Sequence, residues 1–215
     1  MKILVTGFDP FAGEPLNPSW EVARRLPGTI AGADVVAIQL PTSFRRSASA
    51  LRSAVVAHEP DAVVSLGQAG GRSAVTPERV AINVDDGRIP DNDGVLPIDE
   101  PIAPDGPSAY FSTLPVKAMV AAMTEAGVPA GVSNSAGTFV CNHVFYAARH
   151  LVEREFPGTT AGFVHLPYLP SQALGRPGTP SLSLDAMVTG LEAGLAAIVA
   201  YHGHDDARLV GGAAH

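Results

Sequence analysis

The sequence predicts an α/β protein: a three-layer α/β/α sandwich with a twisted, mostly parallel open sheet and an antiparallel arm. Three observations carry this. Several short apolar runs are continuous and β-branched, as buried parallel strands are. Helix-length segments lie between them. One stretch switches to a strict two-residue alternation, which a parallel core strand does not show.

The runs are residues 2–6, 34–40, 62–66, 130–133 and 161–166. The helical segments begin with 18–26, for which Asn17 or Ser19 is the candidate cap, and with the Ala- and Arg-rich 44–58. Segment 114–126 stops at Gly127, 142–156 ahead of Pro157, and 184–201 ahead of Gly203. Within 79–102, Val80, Ile82 and Val84 alternate with Arg79, Ala81 and Asn83, before a turn at Asp91, Asn92, Asp93 and Gly94. This reads as the arm. Residues 1–203 form one predicted domain, and the small, polar stretch 204–215 reads as a mobile tail.

The chain has 215 residues and a formal charge of −7 at neutral pH, which argues against a nucleic-acid or anionic-membrane partner because cations are in deficit. Hydrophobic residues make up 46% and charged ones 16%, enough apolar material for a sizeable core. The single cysteine, Cys141, excludes an intrachain disulfide and fits a reducing cytosol. The apolar run at the N-terminus is too short for a signal peptide, and no run is long enough to span a bilayer, so a soluble cytoplasmic protein is expected.

Open parallel sheets bind ligands beyond the carboxyl ends of their strands. That rule singles out Gly7 to Ala12 after the first run, Gly67 to Arg72 after the third, the approach to Cys141 after the fourth, and His165 at the end of the last. Cys141 lies where a Gly-containing loop enters a helix, a place whose unpaired N–H groups favour a thiolate nucleophile. The bland alternative is a small buried hydrophobe. Of the seven histidines, His143 is two helical positions on, about 200° round from Cys141, and His150 about 180°. His165 alone ends a buried strand on the sulfur's side of the sheet, where a base is needed. Asp9, Glu78, Asp85 and Asp86 are all candidates to orient its ring, and spacing does not choose among them. The cysteine count and His spacing give no metal-ligand pattern, and Gly67 to Gly71 does not match a nucleotide-binding glycine motif.

Two long segments resemble a known family. Gly67-Gln68-Ala69-Gly70-Gly71-Arg72 with Thr76-Pro77-Glu78-Arg79 looks like the glutamate signature of pyroglutamyl-peptidase I, a cysteine peptidase family. Ser133 through His143 resembles its cysteine signature, and Thr6 to Phe11, Asn17 to Trp20, Arg88 to Asn92 and 163–170 also match. The resemblance implies Cys141 as nucleophile, His165 as general base and acid, and Glu78 as the group orienting the imidazole. It implies a pyroglutamyl ring held between Phe8 and Phe11, bonded by Gln68 and the backbone of Phe139 and Val140, lined by Ile89, with Arg88 helping at the oxyanion. It further implies hydrolysis of N-terminal pyroglutamyl peptides and amides through an acyl-enzyme, without metal or cofactor, in a homo-oligomer that is a tetramer or a dimer. The competing classes are a metabolite- or nucleotide-binding α/β module and a phosphorylase-like enzyme on the same fold.

Overall fold

The structure, a computed structural model, describes residues 1–212. The chain opens with β1 (Lys2–Phe8), α1 (Pro18–Ala23), the short β2 (Thr29–Ile30), β3 (Ala33–Leu40), α2 (Ser47–His58) and β4 (Ala62–Gln68). The middle holds β5 (Thr76–Pro77), β6 (Val80–Ile82), β7 (Ala109–Phe111) and α3 (Val116–Glu125). It ends with α4 (Val140–Glu155), β8 (Thr160–Leu166), α5 (Pro170–Ala173) and α6 (Leu184–Ala200). The main sheet runs β2-β3-β1-β4-β8-β5. Its four central strands are parallel, and the two short edge strands, β2 and β5, are antiparallel to their neighbours.

Side chains of successive strand residues face opposite sides, and this alternation sorts the core into two layers. Ile3 and Val5, Val64 and Leu66, and Val164 and Leu166 pack under α1, α3 and α6. Leu4 and Phe8, Val63, and Ala161 and Phe163 pack against α2 and α4. His165 continues the series 161, 163, 165 and therefore belongs to the face that α4 covers. Between the strands on that face the Thr6 hydroxyl donates to Ser65 Oγ at 3.0 Å, satisfying two buried polar groups.

One predicted strand is not there. Residues 130–133 meet the chain only through isolated bridges, Val75 with Ala130 and Glu78 with Ser133. Pro77 lacks the N–H that would continue the ladder between these bridges, so residues 130–133 run beside β5 without forming a strand, and β5 is the last strand of the sheet. The antiparallel arm is present as β6 paired with β7, and its partner strand 109–111 lay unassigned in the sequence. Helix α4 begins at Val140, two residues earlier than predicted, which puts Cys141 inside its first turn.

The stretch 204–212, read from sequence as a loose tail, makes specific contacts. Both carboxylate oxygens of Asp206 accept the backbone N–H groups of Lys117 and Ala118 at 3.0 Å, capping α3. The Gly211 carbonyl accepts from Arg79 at 2.8 Å. The last part of the predicted tail, 213–215, lies outside the described residues. Among those described, no helix is long and apolar enough to cross a membrane, and no group of three or more His, Cys, Asp or Glu is placed to hold a metal ion.

Candidate active site

A missing side chain organises the site. In the parallel register of β4 and β8, Gly67 stands opposite His165. A Cβ at Gly67 would lie 2.8 Å from Cys141 Sγ and 2.6 Å from the Phe163 ring, distances no real Cβ tolerates. The sulfur from the first turn of α4 thus occupies the side-chain place that Gly67 leaves vacant. Neighbouring strands run about 4.8 Å apart, so that place adjoins the one His165 fills. Nucleophile and base candidates from a helix and a strand are brought together by the absence of one methyl group.

His165 is 4% exposed and Glu78 fully buried. His165 Nδ1 and Glu78 Oε1 are 2.7 Å apart, which leaves Nε2 as the ring nitrogen for chemistry. Arg72, named from sequence as part of the loop after the third run but given no role, donates from Nη1 to the same Glu78 oxygen at 2.7 Å and from Nη2 to the Ser135 carbonyl at 3.1 Å. His165 Nδ1 bonds none of the other sequence alternatives for the orienting carboxylate: two are spoken for elsewhere, and Asp86 is placed by its backbone. Asp9 Oδ1 accepts the Thr42 N–H at 2.6 Å, Asp85 pairs with His143, and the backbone of Asp86 pairs with Thr138.

These contacts set the charge states. Burial pushes the Glu78 carboxyl up, but the hydrogen bond and charge of His165, with help from nearby Ser133 and from the Arg72 charge, outweigh it, so the group is held below its usual range. Burial lowers His165; the hydrogen bond and charge of Glu78 pull the other way and Arg72 reinforces burial, leaving the imidazole below its ordinary value. Cys141 keeps some accessible surface as a residue, yet its sulfur is closely ringed by protein. Burial first, and the Glu78 charge second, raise its thiol to about 12, against smaller opposing effects of Arg72 and its own backbone N–H. Both shifts favour the uncharged forms, a thiol and a neutral imidazole, against the pull of the helix N-terminus toward a thiolate. Desolvation outweighs the helix N-terminus at this position.

Beside the sulfur lies a narrow slot, lined by Phe8, Phe11, Asn17, Thr42, Gln68, Phe139, Val140 and Cys141. Phe11 and Phe139 have ring centroids 6.0 Å apart, and Phe44 meets the Phe139 ring edge-on at 5.3 Å. The predicted pocket residues Phe8, Phe11, Gln68, Phe139 and Val140 are therefore together. Ile89 and Arg88 are not part of this lining: Ile89 is half-buried and Arg88 exposed on the strand-poor segment beyond Asp86. Sequence reading missed Asn17 as lining because its role as the α1 cap, where it accepts the Ser19 N–H at 3.1 Å, explained it fully. Thr42 follows the carboxyl end of β3, so the strand-end rule, applied to that strand as well, finds it.

The sequence profile of pyroglutamyl peptidases matches residues 1–201. The chain belongs to the pyroglutamyl peptidase family. It is 54% identical, over the whole of both chains, to the pyrrolidone-carboxylate peptidase of Streptococcus suis strain 05ZYH33. The crystal structure of Bacillus amyloliquefaciens pyroglutamyl peptidase I superimposes with a TM-score of 0.92 at 47% identity, covering 96% of this chain and 99% of that one. The pyrrolidone carboxyl peptidase of Thermococcus litoralis does so with a TM-score of 0.92 at 38% identity, covering 97% and 99%. Membership in this family of cysteine peptidases sets aside the binding-module and phosphorylase classes, and the six-stranded sheet flanked by helices is the family's fold.

Proposed function

We propose that this pyroglutamyl peptidase works through Cys141, His165 and Glu78 in a cleft that selects a neutral five-membered lactam. The enzyme removes N-terminal pyroglutamyl residues. The observation that carries the residue assignment is the seating of Cys141 Sγ over Gly67, next to the imidazole that Glu78 holds at 2.7 Å.

With a thiol near 12 and a neutral imidazole, the proton leaves sulfur as attack proceeds. His165 Nε2 takes the Sγ proton while sulfur bonds to the pyroglutamyl carbonyl carbon, and the carbonyl oxygen becomes an oxyanion. The backbone N–H of Cys141, in the first turn of α4, is placed to donate to it, aided by the helix dipole. The imidazolium that forms is stabilised by Glu78. Collapse breaks the C–N bond, and Nε2 gives its proton to the departing amine. Water then loses a proton to Nε2 as it attacks the thioester; sulfur leaves and recovers that proton. Arg88 is exposed and outside the slot lining, and no step of this sequence is assigned to it.

Specificity follows from the lining, whose side chains are all uncharged. A lactam offers one N–H and one C=O, which fixed polar groups can satisfy, whereas a protonated α-amino group would enter without a counter-ion. A homo-oligomer, tetramer or dimer, and a reducing cytoplasmic setting suited to a lone thiol belong to the same reading; light scattering measures the first. The function itself is tested by release of a fluorescent amine from a pyroglutamyl amide beside the glutaminyl and prolyl amides. Only the first should be cleaved, and equal cleavage of all three would refute the lactam-selective slot.

A further inference from the structure

Gln172, outside the slot and in none of the roles above, determines which end of the Gln68 amide faces the substrate. The argument starts from a backbone group whose direction cannot be reversed. The N–H of Leu169 is a donor only, and the side-chain oxygen of Gln172 accepts it at 3.1 Å. Gln172 is 6% exposed, so its amide has little freedom to turn. With its oxygen committed, its nitrogen must point the other way, and it donates to Gln68 Oε1 at 2.8 Å. Gln68 in turn has its oxygen committed, and its Nε2, with two hydrogens, is the polar end left for the slot.

The fold supports this relay from both sides. Gln68 ends β4 opposite Leu166 of β8, and Ala69 N–H donates to the Leu166 carbonyl at 2.8 Å. A Cβ at Gly70 would stand 2.2 Å from the Tyr168 ring, so glycine there lets the loop after β4 lie against the loop after β8. That approach is what brings the short α5, carrying Gln172, within reach of Gln68.

We propose that Gln172 is a specificity-positioning residue: through the Leu169–Gln172–Gln68 relay it fixes Gln68 as a donor toward the lactam carbonyl. The inference rests on the reading of Gln68 as a lactam ligand. The decisive variant is Gln172→Glu. Its carboxylate still accepts from Leu169 but has no hydrogen for Gln68; it accepts from Gln68 Nε2 instead and turns the Gln68 oxygen into the slot, where it faces the lactam oxygen. Gln172→Met only frees Gln68 to rotate.

The expected result is a KM for the pyroglutamyl amide, and a Ki for 2-pyrrolidone, raised about tenfold or more in Gln172→Glu and about threefold in Gln172→Met, the scale of one lost hydrogen bond against one turned repulsive. The pH profile and kcat should stay close to wild type, since the relay does not touch Cys141 or His165. Unchanged KM in Gln172→Glu, or equal effects of the two variants, would overturn the relay. Should Gln172→Glu fail to fold, the Gln68 side-chain amide resonances of the wild-type protein serve instead: they must move on adding 2-pyrrolidone, and fixed resonances overturn the proposal. A wild-type protein that leaves the pyroglutamyl amide intact would count against the proposed function, whereas active wild type with an indifferent Gln172→Glu counts against the relay alone.

Discussion

Two histidine–carboxylate pairs lie on the α4 side of the sheet, and they look alike in isolation. His165 and Glu78 are 2.7 Å apart, as are His143 and Asp85; both pairs are buried and each ring packs near a phenylalanine, Phe163 in one case and Phe44 in the other. They differ at the far side of the ring. His165 adjoins the place where Cys141 Sγ sits, and Arg72 braces its carboxylate. In the second pair His143 Nε2 is buried with no hydrogen-bond partner, while an unpartnered buried carboxylate oxygen is common to both, Glu78 Oε2 in one and Asp85 Oδ1 in the other. A short imidazole–carboxylate contact is therefore not a catalytic signature. On the proposed function, what sets the first pair apart is a nucleophile beside its ring and a route for substrate, and His143, two positions past Cys141 on the same helix, is carried round to the other side.

Substitutions should separate the pairs sharply. Cys141→Ala should lower kcat/KM by about 10⁴-fold or more, in keeping with loss of a nucleophile; full turnover of that variant would end the mechanism. Glu78→Gln, which keeps shape but removes the charge that stabilises the imidazolium, should cost about 10²- to 10⁴-fold, whereas Asp85→Asn should leave kcat/KM within about threefold because its pair touches no reacting atom. Equal losses in these two variants would erase the distinction between the pairs.

Arg72→Met should reduce activity by about tenfold. It removes a cation that depresses His165, so the acid limb of the kcat/KM profile should move to higher pH, with partial return in Arg72→Lys. A stability loss with an unmoved acid limb would mean that Arg72 is only structural.

The second pair should show itself in folding. His143→Leu leaves the Asp85 oxygen facing it unpaired and should destabilise by about 1–3 kcal/mol, read from denaturant midpoints, with little change in turnover.

The smallest effect is the pH dependence of the melting temperature. His165 has a folded-state pKa below its ordinary 6.5, so the unfolded chain binds that proton more readily, and stability declines as pH drops through 6.5. Glu78 is also lowered, from 4.5; its contribution is present above that value and is lost on further acidification. Both act in the same direction, so Tm should fall steadily from pH 7 to pH 4, and Glu78→Gln should flatten the more acidic part. A Tm that rises on acidification would contradict both assignments.

Much of this was legible in the chain. Continuous apolar runs found the four parallel strands, and the strand-end rule put His165 on the rim; Cys141 was reached through residues 130–133, which are no strand, so its placement came from the loop-to-helix position instead. The choice of Glu78 over Asp9, Asp85 and Asp86 was not, because all four are carboxylates near that rim and only side-chain direction tells them apart. Arg72 was marked as part of the loop after the third run but its contact with Glu78 was not, and Gln172 escaped altogether, because each acts through a partner more than five residues away in sequence. Residues 130–133 misled because composition reports burial, while the missing N–H of Pro77 interrupts the hydrogen bonding. In 204–212 small polar residues suggest looseness, and nothing local announces that Asp206 caps α3.

Gly67 has no rotamer, no charge and no hydrogen-bonding side chain, and by composition it is the obvious position at which to stiffen β4. Replacing it with alanine would reduce the entropy of the unfolded chain, a gain of about 0.4–1 kcal/mol where the site has room. Here there is none: the added methyl would evict the sulfur. Evolution toward a sturdier strand is blocked at this residue, and a catalogue of reactive groups would overlook the one atom whose smallness makes the others reactive.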